Sequence, residues 1–378
     1  MDTLTVSKRE MVWANILFFA ATTSVALIGA PLYAARFGFQ PFMMWLTVFY
    51  VFATSMSITV GYHRLFSHVT YKANSILQFL FLFFGAAAYE QSALCWSSQH
   101  RTHHLYVDTE QDPYSIKKGF FYAHIGWLLF WKHPENYENS KDLQKNPLVM
   151  HQHKYYHFWA AGSGIILPLL IGFWHGDLLG AFVFAVCVRM VIVHQTTFCI
   201  NSICHTFGEA TYDIYSTAKD HWLVAFITNG EGYHNFHHHF PSDYRNGVRW
   251  YQWDPSKWLI AILARAGLAW ELKRVSAFRI LAARLAAENQ RAEDCLKIRK
   301  IPNLTTIQMS LKSQYEKLKQ TLSDWESSAR EYQAVLREHL QRHSERRRQA
   351  ALKRVEAQRR FRETLNQWEL IYLKLKAR

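Results

Sequence analysis

The chain has 378 residues, of which 50% are hydrophobic and 16% aromatic, and its formal net charge at pH 7 is +14. Its apolar stretches approach 20 residues, the length that spans the hydrocarbon core of a bilayer, so the composition indicates an integral membrane protein. Five scattered cysteines, odd in number and without a CxxC pair, indicate no disulfide framework or thiolate metal site and fit a reducing compartment. Cys204 beside His205 is the one cysteine that is a candidate ligand.

Four membrane spans are predicted, and they come in two pairs. Short turns join the two members of each pair, so both turns lie on one side of the membrane. The other side then carries the N-terminus, residues 61–157 and the chain after His194, with most of the Lys and Arg. Because an excess of basic residues marks the cytoplasmic face, we expect both termini and all the histidine groups to be cytoplasmic. The four spans cover about residues 12–31, 41–60, 158–174 and 178–193.

Two further segments in this part of the chain need interpretation. The first ten residues, followed by a long apolar run, are typical of a start anchor and not of a cleaved signal peptide. Residues 75–88 are apolar but too short to span comfortably. They predict a helix that lies at the membrane interface or dips into the bilayer, with a buried core helix as the alternative.

Nine histidines fall into four tight groups, in HRLFSH, HRTHH, NSICH and HNFHH. Imidazole is the commonest neutral metal ligand, and residues four apart on a helix share a face, so His100 and His104 can reach one ion while His103 reaches a second. Four to six ligands complete a metal site, so nine histidines indicate two ions. They are His63, His68, His100, His103, His104, His205, His234, His237 and His238.

Neutral imidazoles favour Zn, Cu, Fe or Ni over Mg or Ca. A histidine-ligated, non-haem di-iron centre can reduce oxygen and take hydrogen from an unactivated C–H bond, whereas zinc supplies no redox chemistry. A histidine-rich metal transporter is the alternative from another class. It would need ionisable residues within its spans, and the histidine groups lie outside the predicted ones.

Residues 276–378 form a separate basic segment. From residue 271 onward the chain has 25 Lys and Arg against 13 Asp and Glu, so an acidic partner is expected. Apolar residues at alternating spacings of four and three predict two amphipathic helices, separated by the polar run 342–348. These helices would pack as a hairpin, form a coiled-coil dimer or bind anionic lipid heads. The two apolar series are Leu318, Leu322, Trp325, Ala329, Tyr332 and Leu336, and then Phe361, Leu365, Trp368, Tyr372 and Leu375.

The histidine motifs resemble those of a known family. HRLFSH, WSSQHRTHH, NSICHTFG and GEGYHNFHHHFPSDYR, in this order, are similar to the membrane fatty acyl desaturases, most closely to the acyl-CoA (stearoyl) delta-9 group. The resemblance covers about residues 61–275. It implies an all-α fold in which an integral membrane four-helix domain carries a helical cytoplasmic di-iron cap. Residues 1–275 would form this domain, and residues 276–378 would add a basic, cytoplasmic, amphipathic helical extension.

The resemblance also assigns residues to roles. It implies that the nine histidines ligate two Fe ions and that Asn201 acts through a water. Trp96 and Thr197 match positions that line the bend of a tunnel for the acyl chain. Lys117 and Lys118 match a basic pair near the phosphates of CoA.

The chain departs from the family pattern at three places. Ser98 and Gln99 stand where members that use acyl-CoA often have Arg-Asp, which leaves the acyl carrier open between CoA and a lipid. His239 stands where the family usually has Thr, and we expect it to be a bystander, because its phase after a pair of histidines points outward. The His-Pro-Gly-Gly motif of a fused haem domain is absent, so a separate electron donor is required.

Four charged residues are candidates for supporting roles. A metal-bound imidazole usually donates its other N–H to a carboxylate or carbonyl, which makes Asp112, Glu231 and Asp108 candidate partners of the histidines. Arg189 lies within the fourth predicted span, where a charge is costly. It is expected either to bridge to a partner near the cap or to snorkel to the interface.

We therefore predict an enzyme that desaturates a long-chain fatty acyl substrate with two irons and O2 as co-substrate. Acyl-CoA is the expected carrier and delta-9 the expected position. The electrons would come from a separate donor: a ferredoxin, a rubredoxin or a cytochrome with its reductase. A membrane fatty acyl or alkyl hydroxylase with the same centre is the rival within this chemistry. Further partners would be the lipid bilayer and, through the C-terminal helices, a second copy of the chain, but not nucleic acid.

Overall fold

The computed structural model of the protein describes residues 8–132, 135–298, 304–337 and 344–376. These residues are mostly helical, as expected, and the chain divides into two compact units. The first unit comprises Met1–Ala210 and Tyr215–Arg274, and the second comprises Thr211–Ile214 and Val275–Arg378.

The longer helices are, in chain order, α1 (Trp13–Phe37), α2 (Pro41–Ser67), α3 (Ser75–Ala86), α4 (Ala93–Tyr106), α5 (Pro147–Lys154), α6 (Tyr156–His175), α7 (Leu178–Ser202), α8 (Trp222–Ile227), α9 (His234–His239), α10 (Pro255–Arg265), α11 (Ala277–Ile298), α12 (Leu304–Arg337) and α13 (Ser344–Lys376). Shorter helical turns lie at Ile116–Lys118, Tyr122–Gly126, Trp127–Leu129, Glu138–Ser140 and Lys141–Gln144. Two small antiparallel strand pairs, β1 (Lys8–Arg9) with β3 (Trp131–Lys132) and β2 (Lys72–Ala73) with β4 (Ala269–Trp270), complete the described elements.

Helices α1, α2, α6 and α7 are long and apolar enough to cross a membrane, which confirms the four predicted spans. Gly38 and Gly176 have positive φ angles of 72° and 83° and end α1 and α6, so a glycine allows each sharp reversal. The hydroxyl of Tyr33, near the end of α1, donates a hydrogen bond to Asp177 in the second turn. Both turns therefore lie at one end of the four helices.

The second and fourth spans run further than hydropathy predicts. The predicted ends were residues 60 and 193, but α2 continues to Ser67 and α7 to Ser202. Residues 61–67 are thus helix and not loop, and His63 lies on a helix that crosses the membrane. Hydropathy marks the apolar part of a helix, and it cannot report a polar continuation of the same helix beyond the membrane.

Of the two expectations for Arg189, the bridge to a partner is confirmed and snorkelling to the interface is wrong. Its side chain neither snorkels to the interface nor pairs with a carboxylate, because it is fully buried within the bundle. The guanidinium donates hydrogen bonds to the carbonyl oxygens of Ala87 and, at 2.7 Å, of Gly164, and it lies 5.9 Å from the ring centre of Tyr50. The carbonyl of Ala87 lies at the C-terminal end of α3, and that of Gly164 lies four residues before Pro168, which has no N–H to donate, so two backbone carbonyl groups satisfy this charge.

The short apolar helix α3 packs along the end of α2. Its side chains Leu77, Phe81 and Leu82 are buried, while Ile76 is 70% exposed on its other face. Contact between the two helices is close: a Cβ at Gly61 of α2 would lie 2.6 Å from the Cβ of Phe81. One face of α3 therefore packs into the core, as in a buried core helix, and its other face is apolar and exposed.

The second unit is built from α11, α12 and α13 around its own apolar core. Both predicted apolar series contribute to this core, so α12 and α13 pack against each other within the chain, which is the hairpin alternative. At the end of α12 the register shifts, because Val335 is buried and the predicted Leu336 is 37% exposed. The polar run also differs: α13 already begins at Ser344, and residues 342–343 lie outside the described residues. Buried core residues are Leu285, Ala292, Leu296, Leu311, Leu318, Leu322, Phe361 and Trp368.

Candidate metal centre

All nine predicted histidines converge at one end of the first unit. They come from the end of α2, from α4, from the turn after α7 and from α9. The last turns of α2 are a π-helix, in which residues five apart are close to one another, and the backbone N–H of His68 donates to the carbonyl oxygen of His63 at 3.1 Å. The spacing of HRLFSH therefore brings both rings to the same side, with centroids 4.8 Å apart.

The histidines separate into two groups, and within each group the candidate ligand atoms all lie within 4.8 Å of one another. In group one, Nε2 of His237 lies 2.9 Å from Nε2 of His63 and 2.9 Å from Nε2 of His104. The Nε2 atoms of His68 and His100 are also 2.9 Å apart. Group one consists of His63, His68, His100, His104 and His237.

Group two consists of His103, His205, His234 and His238. Here Nε2 of His234 lies 3.0 Å from Nε2 of His205 and 3.0 Å from Nε2 of His238. The two groups are neighbours, since the rings of His104 and His238 stack with centroids 4.2 Å apart. His100 and His104 thus share one group while His103 joins the other, as their helical spacing predicts.

The Nδ1 atoms of several of these rings have partners that orient them. Nδ1 of His63 lies 2.8 Å from Oε2 of Glu231, and Nδ1 of His103 lies 2.8 Å from Oδ1 of Asp112. An Nδ1–H that donates to a carboxylate leaves the lone pair of Nε2 free. The Nε2 atoms that face one another within each group are then available as ligands, so the donor set fits metal ions.

A third carboxylate acts on group two through a hydroxyl. Nδ1 of His205 lies 2.7 Å from Oγ1 of Thr217, and that hydroxyl donates to Oδ1 of Asp108 at 2.6 Å. Asp108 therefore supports His205 indirectly, and Thr217 is a residue that sequence reasoning missed. No sequence signal marks Thr217, because it lies in a loop twelve residues after the histidine that it contacts.

Seven of the nine rings are held neutral by their surroundings. Burial lowers the pKa of His68, His100, His104, His205, His234, His237 and His238 well below the usual range, and repulsion between neighbouring rings lowers it further. Neutral imidazoles are the form that binds transition metals, and iron is among the metals that they suit.

A buried ion-pair network lies behind His63 and was also missed. Nη2 of Arg64 donates to Oε1 of Glu231 at 3.1 Å and to Oδ1 of Asp254 at 3.0 Å, and all three side chains are at most 7% exposed. Asp254 also accepts from the backbone N–H groups of Asn246 at 2.9 Å and Gly247 at 3.0 Å. Burial would raise the pKa of Glu231, but His63 and Arg64 lower it to about 2. Glu231 is therefore an anion that is fixed from two sides.

A cavity begins at the two groups. His63, His100, His103 and His234 form part of its wall, and so do Trp96, Thr197 and Asn201, the three residues that the sequence places near the acyl chain or the metal. The indole of Trp96 stacks on His100 with centroids 4.9 Å apart. Much of the remaining wall is apolar or aromatic: Phe18, Phe19, Ile58, Trp127, Leu128, Phe198 and Ile200.

Glu90 is a further cavity residue that sequence reasoning missed. Its Oε2 accepts a hydrogen bond from Nε1 of Trp96 at 3.2 Å, while its Oε1 has no hydrogen-bond partner among the described residues. Burial raises the pKa of Glu90 to about 7, although hydrogen bonds from Thr197 and Trp96 lower it. The cavity therefore holds a carboxyl group that titrates near neutral pH.

Four other candidates lie away from the cavity wall. Lys117 and Lys118 are on a short helical turn, where Lys117 is exposed and Nζ of Lys118 lies 3.6 Å from a carboxylate oxygen of Glu110. His239 is exposed and belongs to neither histidine group. Cys204 is buried next to His205, but its Sγ faces the carbonyl oxygen of Gly232 and joins neither group.

Comparison with known proteins gives a consistent result. The model of the fatty acid desaturase family matches residues 39–272, which contain both histidine groups. A probable acyl-CoA desaturase of Schizosaccharomyces pombe is 39% identical over 270 residues, which cover 70% of this chain and 55% of the relative. Acyl-CoA desaturase 1 of Saccharomyces cerevisiae is 40% identical over 248 residues, 65% of this chain and 49% of the relative. The chain thus spans about half the length of these two relatives. Stearoyl-CoA desaturase of Homo sapiens is 36% identical over 284 residues, 73% of this chain and 78% of the relative.

Proposed function

Because the chain belongs to the fatty acid desaturase family, we propose that it introduces a double bond into a long-chain fatty acyl substrate. The observation that carries this proposal is the convergence of nine histidines in two groups, four of which form part of the wall of a largely apolar cavity. Acyl-CoA is the carrier, in keeping with the names of the similar proteins. O2 as co-substrate and delta-9 as the position follow from the resemblance of the histidine motifs. Residues 1–275 form the desaturase domain that carries the activity, and residues 276–378 form a basic helical extension of that domain.

The two groups would each hold one iron. His63, His68, His100, His104 and His237 would ligate the first, and His103, His205, His234 and His238 would ligate the second, with Asn201 acting through a water. Iron, when bound, would supply the redox chemistry that imidazole cannot: reduction of O2 and removal of hydrogen from carbon. Two electrons per turnover would come from a separate donor, a ferredoxin, a rubredoxin or a cytochrome with its reductase.

The chain's own residues would bind the acyl chain, orient the histidine rings and exclude water. The apolar wall would hold the acyl chain away from water, and Trp96 and Thr197 would fix its bend beside the ligands. Glu231, Asp112 and the Thr217–Asp108 pair would keep Nε2 of their histidines directed at the ions. The position of the new double bond would then be set by how deeply the chain enters.

The carrier and the orientation complete the proposal. Lys117, which is exposed, and its neighbour Lys118 would contact the phosphates of CoA as point charges. Variants with Ala at both positions would then raise KM for acyl-CoA and leave kcat unchanged.

The end of the first unit that carries the histidines would face the cytoplasm, since most Lys and Arg lie outside the end with the short turns.

Fatty acid profiles test the function. The chain is produced in cells that lack their own acyl desaturase, and total fatty acid methyl esters are analysed by gas chromatography with mass spectrometry. We expect a new monounsaturated acid whose double bond lies between carbons 9 and 10, absent from cells with the His104→Ala variant. A hydroxylated acid in its place would show the rival chemistry, and an unchanged profile with iron-loaded protein would refute the proposal.

A further inference from the structure

The second unit carries an apolar face that its own core does not use. In α13 the side chains of Ala350, Phe361, Thr364 and Trp368 are buried, and those of Phe361 and Trp368 belong to the apolar core formed with α11 and α12. On the opposite side of the same helix, Leu352, Val355, Leu370 and Leu373 are 61%, 54%, 60% and 59% exposed. We call these four residues, with the charged stretch between them, the outer face of α13.

The outer face follows the periodicity of a helix that packs against another helix. Leu352, Val355, Arg359, Arg362, Asn366 and Leu373 are separated by three, four, three, four and seven residues, and Leu370 lies beside this line. Four large apolar side chains in register on a solvated helix are unusual, because exposed apolar residues are normally scattered singly.

The charges of the outer face are of both signs. Arg359 pairs with Glu356 at 2.8 Å and with Glu363 at 2.7 Å, and Arg362 adds further positive charge. A surface that binds anionic lipid would be expected to keep its cations free of acidic neighbours. The mixture is better suited to a partner that presents both signs as well.

The order of residues along the face is symmetric about its centre. An apolar pair, Leu352 and Val355, lies 18 residues before a second apolar pair, Leu370 and Leu373, and the charged residues lie between them. Two copies of this helix that pack antiparallel, with their two-fold axis between Arg362 and Glu363, bring the first apolar pair of each copy against the second pair of the other. Near the axis, Glu363 of one copy then lies within reach of the Arg359 position in the other.

We propose that the outer face of α13 binds a second copy of this chain, with the two α13 helices antiparallel. A two-fold interface must be complementary to itself, and the symmetric order of apolar pairs around a mixed-charge centre meets that condition. A parallel pair would stack Arg359 on Arg359, and these charges repel each other, whereas in the antiparallel pair the position opposite Arg359 is the neutral Asn366. This inference concerns assembly and does not depend on the proposed reaction.

The mass of the full chain tests the assembly. Purified protein in detergent is measured by light scattering, with the contribution of bound detergent subtracted. We expect a protein mass of twice 44.4 kDa, and a dissociation constant raised at least tenfold by Leu352→Glu combined with Leu373→Glu. The matched control is Met309→Glu on α12, whose side chain is 61% exposed and which should leave the mass unchanged. A monomer at all concentrations, or a dimer that both sets of variants leave intact, would overturn the proposal.

Cysteine crosslinking tests the orientation. Two differently tagged full-length chains, one with Leu352→Cys and one with Leu373→Cys, are produced together and oxidised. Antiparallel packing predicts a mixed disulfide between the two tags, whereas parallel packing would give only pairs of identical variants. The unsubstituted chain reports any background from its own five cysteines. Absence of the mixed disulfide in a sample that is dimeric by mass would refute the antiparallel arrangement.

Discussion

Glu231 binds His63 at 2.8 Å through Oε2 and holds Arg64 at 3.1 Å through Oε1, so one buried carboxylate orients a candidate metal ligand and neutralises the residue next to it. Replacement by Gln keeps the shape and removes the charge. We expect Glu231→Gln to weaken metal binding at group one by about 10- to 100-fold and to leave group two loaded. Metal content after graded chelation measures this. The control is Glu110→Gln, at a carboxylate that is 92% exposed, and equal metal loss in both variants would contradict the role of Glu231.

Asp254 should matter for stability far more than its distance from the ligands suggests. It is fully buried and pairs with Arg64, so Asp254→Ala leaves part of a buried charge uncompensated, and we expect a loss of about 3–5 kcal/mol. The matched change is Asp142→Ala, which removes the half-exposed partner of Arg101 and should cost about 1 kcal/mol or less. Thermal unfolding of both variants in the same detergent compares them. Similar shifts would mean that the network around Arg64 adds no more than a surface pair.

The contact between α2 and α3 depends on a glycine. A methyl group at Gly61 would meet Phe81 at 2.6 Å, so Gly61→Ala must push α3 away, and we expect a loss of about 1–3 kcal/mol. Gly162 lies in the span α6, and a Cβ there would meet nothing within 4 Å. Gly162→Ala should be neutral or stabilising by up to about 1 kcal/mol, because Ala favours helix more than Gly does. Equal unfolding temperatures for the two variants would show that the helices are not in close contact.

Glu90 should make stability depend on pH. Its pKa is raised from the ordinary 4.5 to about 7 in the folded protein, so the folded state resists ionisation of this carboxyl. The contribution of Glu90 to the free energy of unfolding is fully present below the pKa of this carboxyl in the unfolded chain, and it is lost as the pH rises from about 4.5 to 7. We expect Glu90→Gln to flatten the fall in unfolding temperature across this range, whereas the exposed Glu110→Gln should keep it. An unchanged slope in Glu90→Gln would mean that the carboxyl ionises freely in the cavity.

The sequence allows the convergence of the nine histidines to be predicted because the evidence for it is local. HRTHH specifies by helical spacing alone that His103 leaves the group of His100 and His104, and the structure places them so. The spacing of His63 and His68 does not by itself predict that their rings converge. They converge because the end of α2 is a π-helix, in which residues five apart lie on the same face. The supporting charges divide in the same way: Asp112 lies nine residues from its histidine, whereas Asp254 lies 190 residues from Arg64.

For the fold, too, local features can be predicted from sequence and contacts between distant residues cannot. Apolar runs predict four spans, but they do not show where α2 and α7 end, since both continue as polar helix beyond residues 60 and 193. The partners of Arg189 cannot be named from sequence because they are backbone carbonyl groups, which every residue possesses. In the second unit, spacings of four and three predict amphipathic helices, but the same spacings serve a hairpin or a dimer. Only the packing of α12 on α13 shows which face is used.

Iron content measured on the same preparation as turnover tests the central claim most directly. We predict two irons per chain and desaturation of the acyl substrate in the unsubstituted protein. His104→Ala and His205→Ala, one from each group, should each lose iron and all turnover. His239→Ala should keep two irons and substantial activity. Full turnover by protein that contains zinc and no iron would contradict the account, and so would a His239→Ala variant as inactive as His238→Ala.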